Sequence, residues 1–87
     1  MNRVRVYTTR ICGYCLAAKR LLADRDIPYE EIDVSDDFEQ RQWLVQASGQ
    51  RTVPQIFIGE RSVGGYTELR ALARSGELDV WLRADDA

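Results

Sequence analysis

The sequence predicts one α/β domain spanning residues 1–87, a four-stranded mixed sheet flanked by helices in the order β-α-β-α-β-β-α. Three observations carry this. Eighty-seven residues are too few for two independent cores. Segments of strand-like alternation are interleaved with segments whose apolar residues recur at three-to-four spacing. Two strand segments, Gln55 to Ile58 and Arg61 to Val63, are separated only by Gly59-Glu60, which is the clearest hairpin signal in the chain. The long helical connection between the first two strands makes them parallel, and the hairpin makes the last two antiparallel.

Val4-Arg5-Val6-Tyr7-Thr8 alternates with β-prone residues and reads as the first strand, followed by a loop at Thr9-Arg10-Ile11. A helix is expected from Cys12 to about Arg25, with Ala18, Leu21 and Leu22 forming its apolar stripe. It lacks a terminal glycine, so Asp26 is expected to take the left-handed position. Pro28 blocks continuation, and Tyr29 to Asp33 forms the second strand. Asp36 and Glu39 resemble a capping box opening a helix through about Ala47, with Phe38, Trp43 and Leu44 turned inward. Ser48-Gly49 ends it. Gly64-Gly65 turns into a helix from Thr67 to Arg74, closed by Ser75-Gly76, and a short helix from Leu78 to Arg83 follows.

Composition removes whole classes of chemistry. Hydrophobic residues make up 45% and charged residues 30%, an ordinary globular balance. No apolar run approaches the roughly 18 residues needed to cross a bilayer, and none at the amino terminus has signal-peptide length. A cytoplasmic protein with no membrane partner is therefore expected. Twelve basic and fourteen acidic residues give a net charge of −2 with no block of one sign, so nucleic acid is not an expected partner. Histidine is absent, which excludes Ser-His-Asp and Cys-His catalysis and histidine-ligated zinc.

Two cysteines remain, Cys12 and Cys15. Closing so small a loop removes only about 2 kcal/mol of chain entropy, so the pair is a poor structural staple. Two thiolates also cannot fill the four positions of a structural zinc site within one chain. A lone C-x-x-C in a reducing compartment points instead to redox catalysis. Cys12, at a helix amino terminus, lies beside unpaired backbone N–H groups and the positive end of the helix dipole, both of which favour a thiolate. Arg10 adds a nearby cation. Cys15, one turn on, is placed to resolve a mixed disulfide rather than to start one. Gly13 weakens the helix for no packing gain, which argues against a purely structural pair.

Cys12-Gly13-Tyr14-Cys15 after a short strand, Thr52-Val53-Pro54 before the hairpin and Gly64-Gly65-Tyr66-Thr67-Glu68-Leu69 after it together resemble a glutaredoxin. The match covers nearly the whole chain. The resemblance implies a thioredoxin fold and a glutathione-dependent thiol–disulfide oxidoreductase, with Cys12 as nucleophile and Cys15 as resolving cysteine. It implies a cis Pro54 beside the active cysteine, with the Val53 backbone pairing to an extended substrate. The N–H groups of Tyr66 and Thr67 behind Gly65 would hold the γ-glutamyl carboxylate of glutathione. A side chain near Thr67 or Glu68 would take its ammonium. Tyr14 and Thr52 would line the same site, and Arg41 matches a position that supplies a cation to the glycyl carboxylate, with Gln55 as an assistant.

Two departures bear on this. Many relatives carry lysine at the position of Thr9, so Arg10 or Arg41 would have to replace that charge. Many have proline at position 13; the resemblance implies that relatives with glycine or serine there can hold a [2Fe–2S] cluster between two subunits, through Cys12 and bound glutathione. No resident metal is expected otherwise. The partners implied are glutathione and disulfide-bearing or glutathionylated proteins, and the chain is expected to be a monomer, dimeric only with a cluster.

Overall fold

The computed structural model describes residues 2–84. Strand β1 (Val4–Thr8) is followed by α1 (Gly13–Asp24), β2 (Glu30–Asp33), α2 (Phe38–Ser48), β3 (Gln55–Ile58), β4 (Arg61–Gly64), α3 (Tyr66–Ser75) and α4 (Glu77–Arg83). The sheet order is β2-β1-β3-β4. β1 runs parallel to β2, with Val6 opposite Glu31, and antiparallel to β3, with Val6 opposite Ile56; β3 and β4 form the antiparallel hairpin. This is the thioredoxin fold, and its element order is the one expected.

Strand alternation divides the core between two faces. Val4, Val6, Ile56 and Ile58 point to one side, where they pack with Ala18 and Leu22 of α1, Leu69 of α3 and Leu78 and Leu82 of α4. Tyr7 and Phe57 point to the other, where they pack with Val34, just after β2, and with Leu44 of α2. The Tyr7 and Phe57 rings meet edge to face at 5.6 Å, and the Tyr7 hydroxyl accepts a 3.0 Å hydrogen bond from Arg5. Asp26 has φ 57°, the left-handed position expected after a helix without a terminal glycine. Gly49 closes α2 with φ 74°.

Three expectations need correction. Asp37, not Asp36, caps α2, accepting from the Gln40 N–H at 2.9 Å; the Asp36 carboxylate is taken by Arg10. Phe38 does not turn inward but is 72% exposed. It stands six residues before the buried Leu44, which at 100° per residue places it about 120° away from the inward face. Trp43, one step from Leu44, lies at the edge of that face: it is half-exposed, yet its ring reaches Tyr7 at 5.6 Å and Phe57 at 5.7 Å.

Candidate active site

β1 ends at Thr8, and the chain turns over the carboxyl ends of the parallel strands β1 and β2 before entering α1, the end at which open α/β sheets place their sites. The Thr9–Ile11 loop is tied to the segment after β2. The Arg10 N–H donates to Ser35 Oγ at 2.8 Å, and its guanidinium grips both Asp36 carboxylate oxygens at 2.6 and 3.0 Å. That fork holds the Asp36 carboxyl below the usual carboxylate range and raises Arg10. Ser35 does the same to Asp33, whose carboxylate accepts from the Ser35 N–H at 2.8 Å. Arg10 thus spends its charge on Asp36 and anchors the loop.

Cys12 occupies the N-cap of α1 in extended conformation, φ −159° and ψ 103°. Its Sγ accepts a hydrogen bond from the Cys15 N–H at 3.1 Å, the place a serine or aspartate oxygen usually takes. Sulfur at this position therefore answers one of the four unsatisfied N–H groups of the first turn. Cys12 and Cys15 are joined as a disulfide, with Cα atoms 5.2 Å apart, and Cys15 is buried. Gly13 faces open space: apart from its chain neighbours and its own helix backbone, no atom of the described residues lies within 4 Å of where a β-carbon would stand.

The Val53–Pro54 bond is cis, and the Val53 carbonyl oxygen lies 3.6 Å from Cys12 Sγ. Gln55 fixes this loop from below. Fully buried, it donates to the Thr52 carbonyl and to Gln50 Oε1, each at 2.9 Å, while its own Oε1 has no partner among the described residues. It supports the loop and does not reach the surface as a carboxylate ligand would require.

Across the groove, Gly64 takes φ 111°, a conformation glycine adopts freely. Gly65 caps α3 but has no side chain to satisfy the first-turn amides, so the Tyr66 and Thr67 N–H groups lack an intrahelical partner. The Glu68 carboxylate reaches back and accepts from the Gly65 N–H at 2.8 Å. Tyr14 stacks on Tyr66, with centroids 6.2 Å apart.

Between these elements lies a groove of about 280 Å³ lined by Tyr14, Thr52, Val53, Pro54, Gly65, Tyr66 and Thr67, together with Gln50 and Glu68. Seven residues singled out from the sequence thus share one surface next to Cys12. Arg41 lies in an adjoining groove of about 550 Å³, which meets the first at Gln50 and Val53. Arg10 lines neither. Sequence reading missed Arg51, which lines the larger groove beside Arg41; a cation immediately before Thr52-Val53-Pro54 was the signal for it. The arrangement can hold an anion on helix amides at one end, an extended backbone at Val53 in the middle and a second anion on two arginines at the other, with sulfur alongside. Among the described residues, no group of three histidine, cysteine, aspartate or glutamate side chains could hold a metal ion.

Comparisons with known proteins show the family. A family model described as Glutaredoxin matches residues 4–63. The chain is 45% identical over 84 residues to a glutaredoxin of Pseudomonas aeruginosa, covering 97% of this chain and all of that protein. It is 37% identical over 83 residues to glutaredoxin 3 of Escherichia coli, covering 95% and 100% respectively. Among solved structures, a buckwheat glutaredoxin–glutathione complex superposes with a TM-score of 0.84 at 32% identity, covering 93% of this chain and 76% of the other. Glutaredoxin from Brucella melitensis gives 0.85 at 44% identity, covering 95% and 90%.

Proposed function

The chain belongs to the glutaredoxin family, a thiol–disulfide oxidoreductase by that membership and its paired cysteines, and from this we propose that glutathione is its reductant. The observation that carries the proposal is the groove beside Cys12, with free helix amides at one end and arginines at the other. Glutathione has a carboxylate at each end, so this spacing of cationic ends suits it. The γ-glutamyl carboxylate would sit on the Tyr66 and Thr67 N–H groups, the cysteinyl backbone along Val53, and the glycyl carboxylate at Arg41 and Arg51. Glu68, already bonded to the Gly65 N–H, would keep its second oxygen for the ammonium.

In the proposed reaction, the Cys12 thiolate attacks the glutathione sulfur of a mixed disulfide. The old S–S bond breaks, and the substrate thiolate departs and takes up a proton. A second glutathione thiolate then attacks the glutathione sulfur held on Cys12, releasing glutathione disulfide and regenerating the Cys12 thiolate. With a protein disulfide as substrate, Cys15 attacks Cys12 instead, leaving the Cys12–Cys15 bond seen here. A cytoplasmic location and a monomeric state fit chemistry that must be returned to the dithiol by a small thiol.

Steady-state kinetics test the assignment. Arg41→Ala and Arg51→Ala are each expected to raise the KM for glutathione about three- to tenfold with kcat retained, because an exposed charge on a ground-state contact affects binding more than chemistry. Unchanged KM in both variants contradicts the placement. Turnover supported by a thioredoxin-type reductant but not by glutathione contradicts the reading as a whole.

A second reading, a glutathione-ligated [2Fe–2S] carrier, rests on the open space at Gly13. Such a cluster needs four ligands, and with Cys15 buried this chain offers one accessible thiolate, so glutathione and a second copy would supply the rest. Purification without oxygen in the presence of glutathione decides it: a brown dimer supports the carrier, a colourless monomer removes it.

A further inference from the structure

The outer face of α2 carries a feature that glutathione does not use. Phe38 stands 72% exposed at the start of the helix. It lines the groove of about 550 Å³ that includes Val53, together with Arg41, Val45, Arg51 and Asp36, whose carboxylate is already neutralised by Arg10. A second hollow of about 330 Å³, also lined by Phe38, Gln42, Val45 and Arg51, continues it along the helix. Among the described residues, ion pairs form at Arg3, Arg10 and Lys19 and none forms at Arg41 or Arg51. Two unmatched guanidinium groups therefore border an apolar trough on a chain whose net charge is −2. The second hollow is lined by neither Val53 nor Arg41, so the trough extends beyond the point where a tripeptide bound at Tyr66, Val53 and Arg41 would end.

We propose that this trough docks a segment of a disulfide-bearing protein substrate: a stretch extended across Val53 whose carboxylate meets Arg41 and Arg51 and whose apolar side chain packs on Phe38 and Val45. The inference rests on the active-site reading above but concerns a different surface. An unmatched pair of cations selects an acidic segment, and a neutral or basic one would leave both arginines without a partner. An exposed phenyl ring becomes favourable to bury once an apolar side chain covers it. Glutathione would share only the arginine end, so protein disulfides gain a contact that a small mixed disulfide lacks. Phe38 thereby becomes a determinant of specificity rather than of chemistry.

Two short peptides of equal length test this, one carrying glutamate and phenylalanine on the carboxyl side of a central cysteine and the other lysine and serine. With that cysteine replaced by serine, calorimetric titration reads docking without exchange; the oxidised disulfide forms then give kcat/KM. The Glu-Phe peptide is expected to bind the wild-type chain about tenfold more tightly, the effect of covering part of a phenyl ring plus one charge pair. Phe38→Ser should remove most of that preference while turnover of the glutathione–mercaptoethanol disulfide stays within twofold. Arg51→Glu should reverse the charge preference toward the lysine peptide. Equal binding of the two peptides by the wild type, or a preference untouched by both substitutions, overturns the proposal. Loss of small-disulfide turnover in the wild type would instead count against the active-site reading, so the two failures are distinguishable.

Discussion

Cys12→Ser should reduce turnover of a glutathione mixed disulfide by at least two orders of magnitude, whereas Cys15→Ser should retain half or more of it. The difference follows from position. Cys12 Sγ sits at the N-cap, held by the Cys15 N–H and facing the Val53 loop, where a substrate disulfide can approach in line. Cys15 is buried and can reach only the sulfur already bonded to Cys12. On the proposed route, the second step with a glutathionylated substrate belongs to free glutathione, which makes Cys15 dispensable there. With an intramolecular protein disulfide the second step is internal, and Cys15→Ser should stall the enzyme as a mixed disulfide detectable by mass. Equal loss in both variants on the glutathione mixed disulfide contradicts the single-thiol route.

Gly64→Ala should be the most damaging of the small substitutions around the groove. At φ 111° an alanine is strained, at a cost of roughly 1–3 kcal/mol. Its β-carbon would also stand 2.6 Å from Glu68 Oε1, forcing that carboxylate off the Gly65 N–H and loosening the first turn of α3. Against a total stability of about 5–15 kcal/mol this is a substantial fraction. The Tyr66 and Thr67 amides would shift with the turn, so the KM for glutathione should rise as well. Gly13→Ala provides the contrast. Nothing beyond its chain neighbours and its own helix backbone lies within 4 Å of the new methyl group and the site is the first turn of a helix, so stability should hold or increase by a few tenths of a kcal/mol. Chemical denaturation of the two variants side by side checks this; equal losses would contradict the account of the turn.

Much of the architecture was legible because its signals are local. The alternation of Val4 to Thr8, the two-residue Gly59-Glu60 hairpin and the left-handed Asp26 each depend on a few neighbouring residues. The three site motifs were legible as well, since each marks a backbone event: a helix start, a cis proline, a glycine turn. What failed required knowing which groups meet across the fold. Asp36 looked like a cap until Arg10, twenty-six residues earlier, took its carboxylate and left Asp37 to do the capping. Arg10 looked like a partner for sulfur until that same pair formed. Phe38 looked like core because it is aromatic and near a helix start; only the phase set by Leu44 turns it to solvent. Gln55 looked like a surface ligand, and its burial beneath the Thr52 loop depends on its place in the central strand β3, opposite Tyr7.

Cys12 is expected to be ionised near neutrality because main-chain amides at the start of α1, rather than a histidine or the Asp36-bound Arg10, stabilise its anion. The rate of alkylation of the reduced protein by iodoacetamide, followed against pH, reads this directly, since Cys15 is buried and reacts later. A half-maximal rate between about pH 3.5 and 7.5 is the expected result. A rate that rises only through about pH 8.5, as for an unassisted thiol, would contradict it.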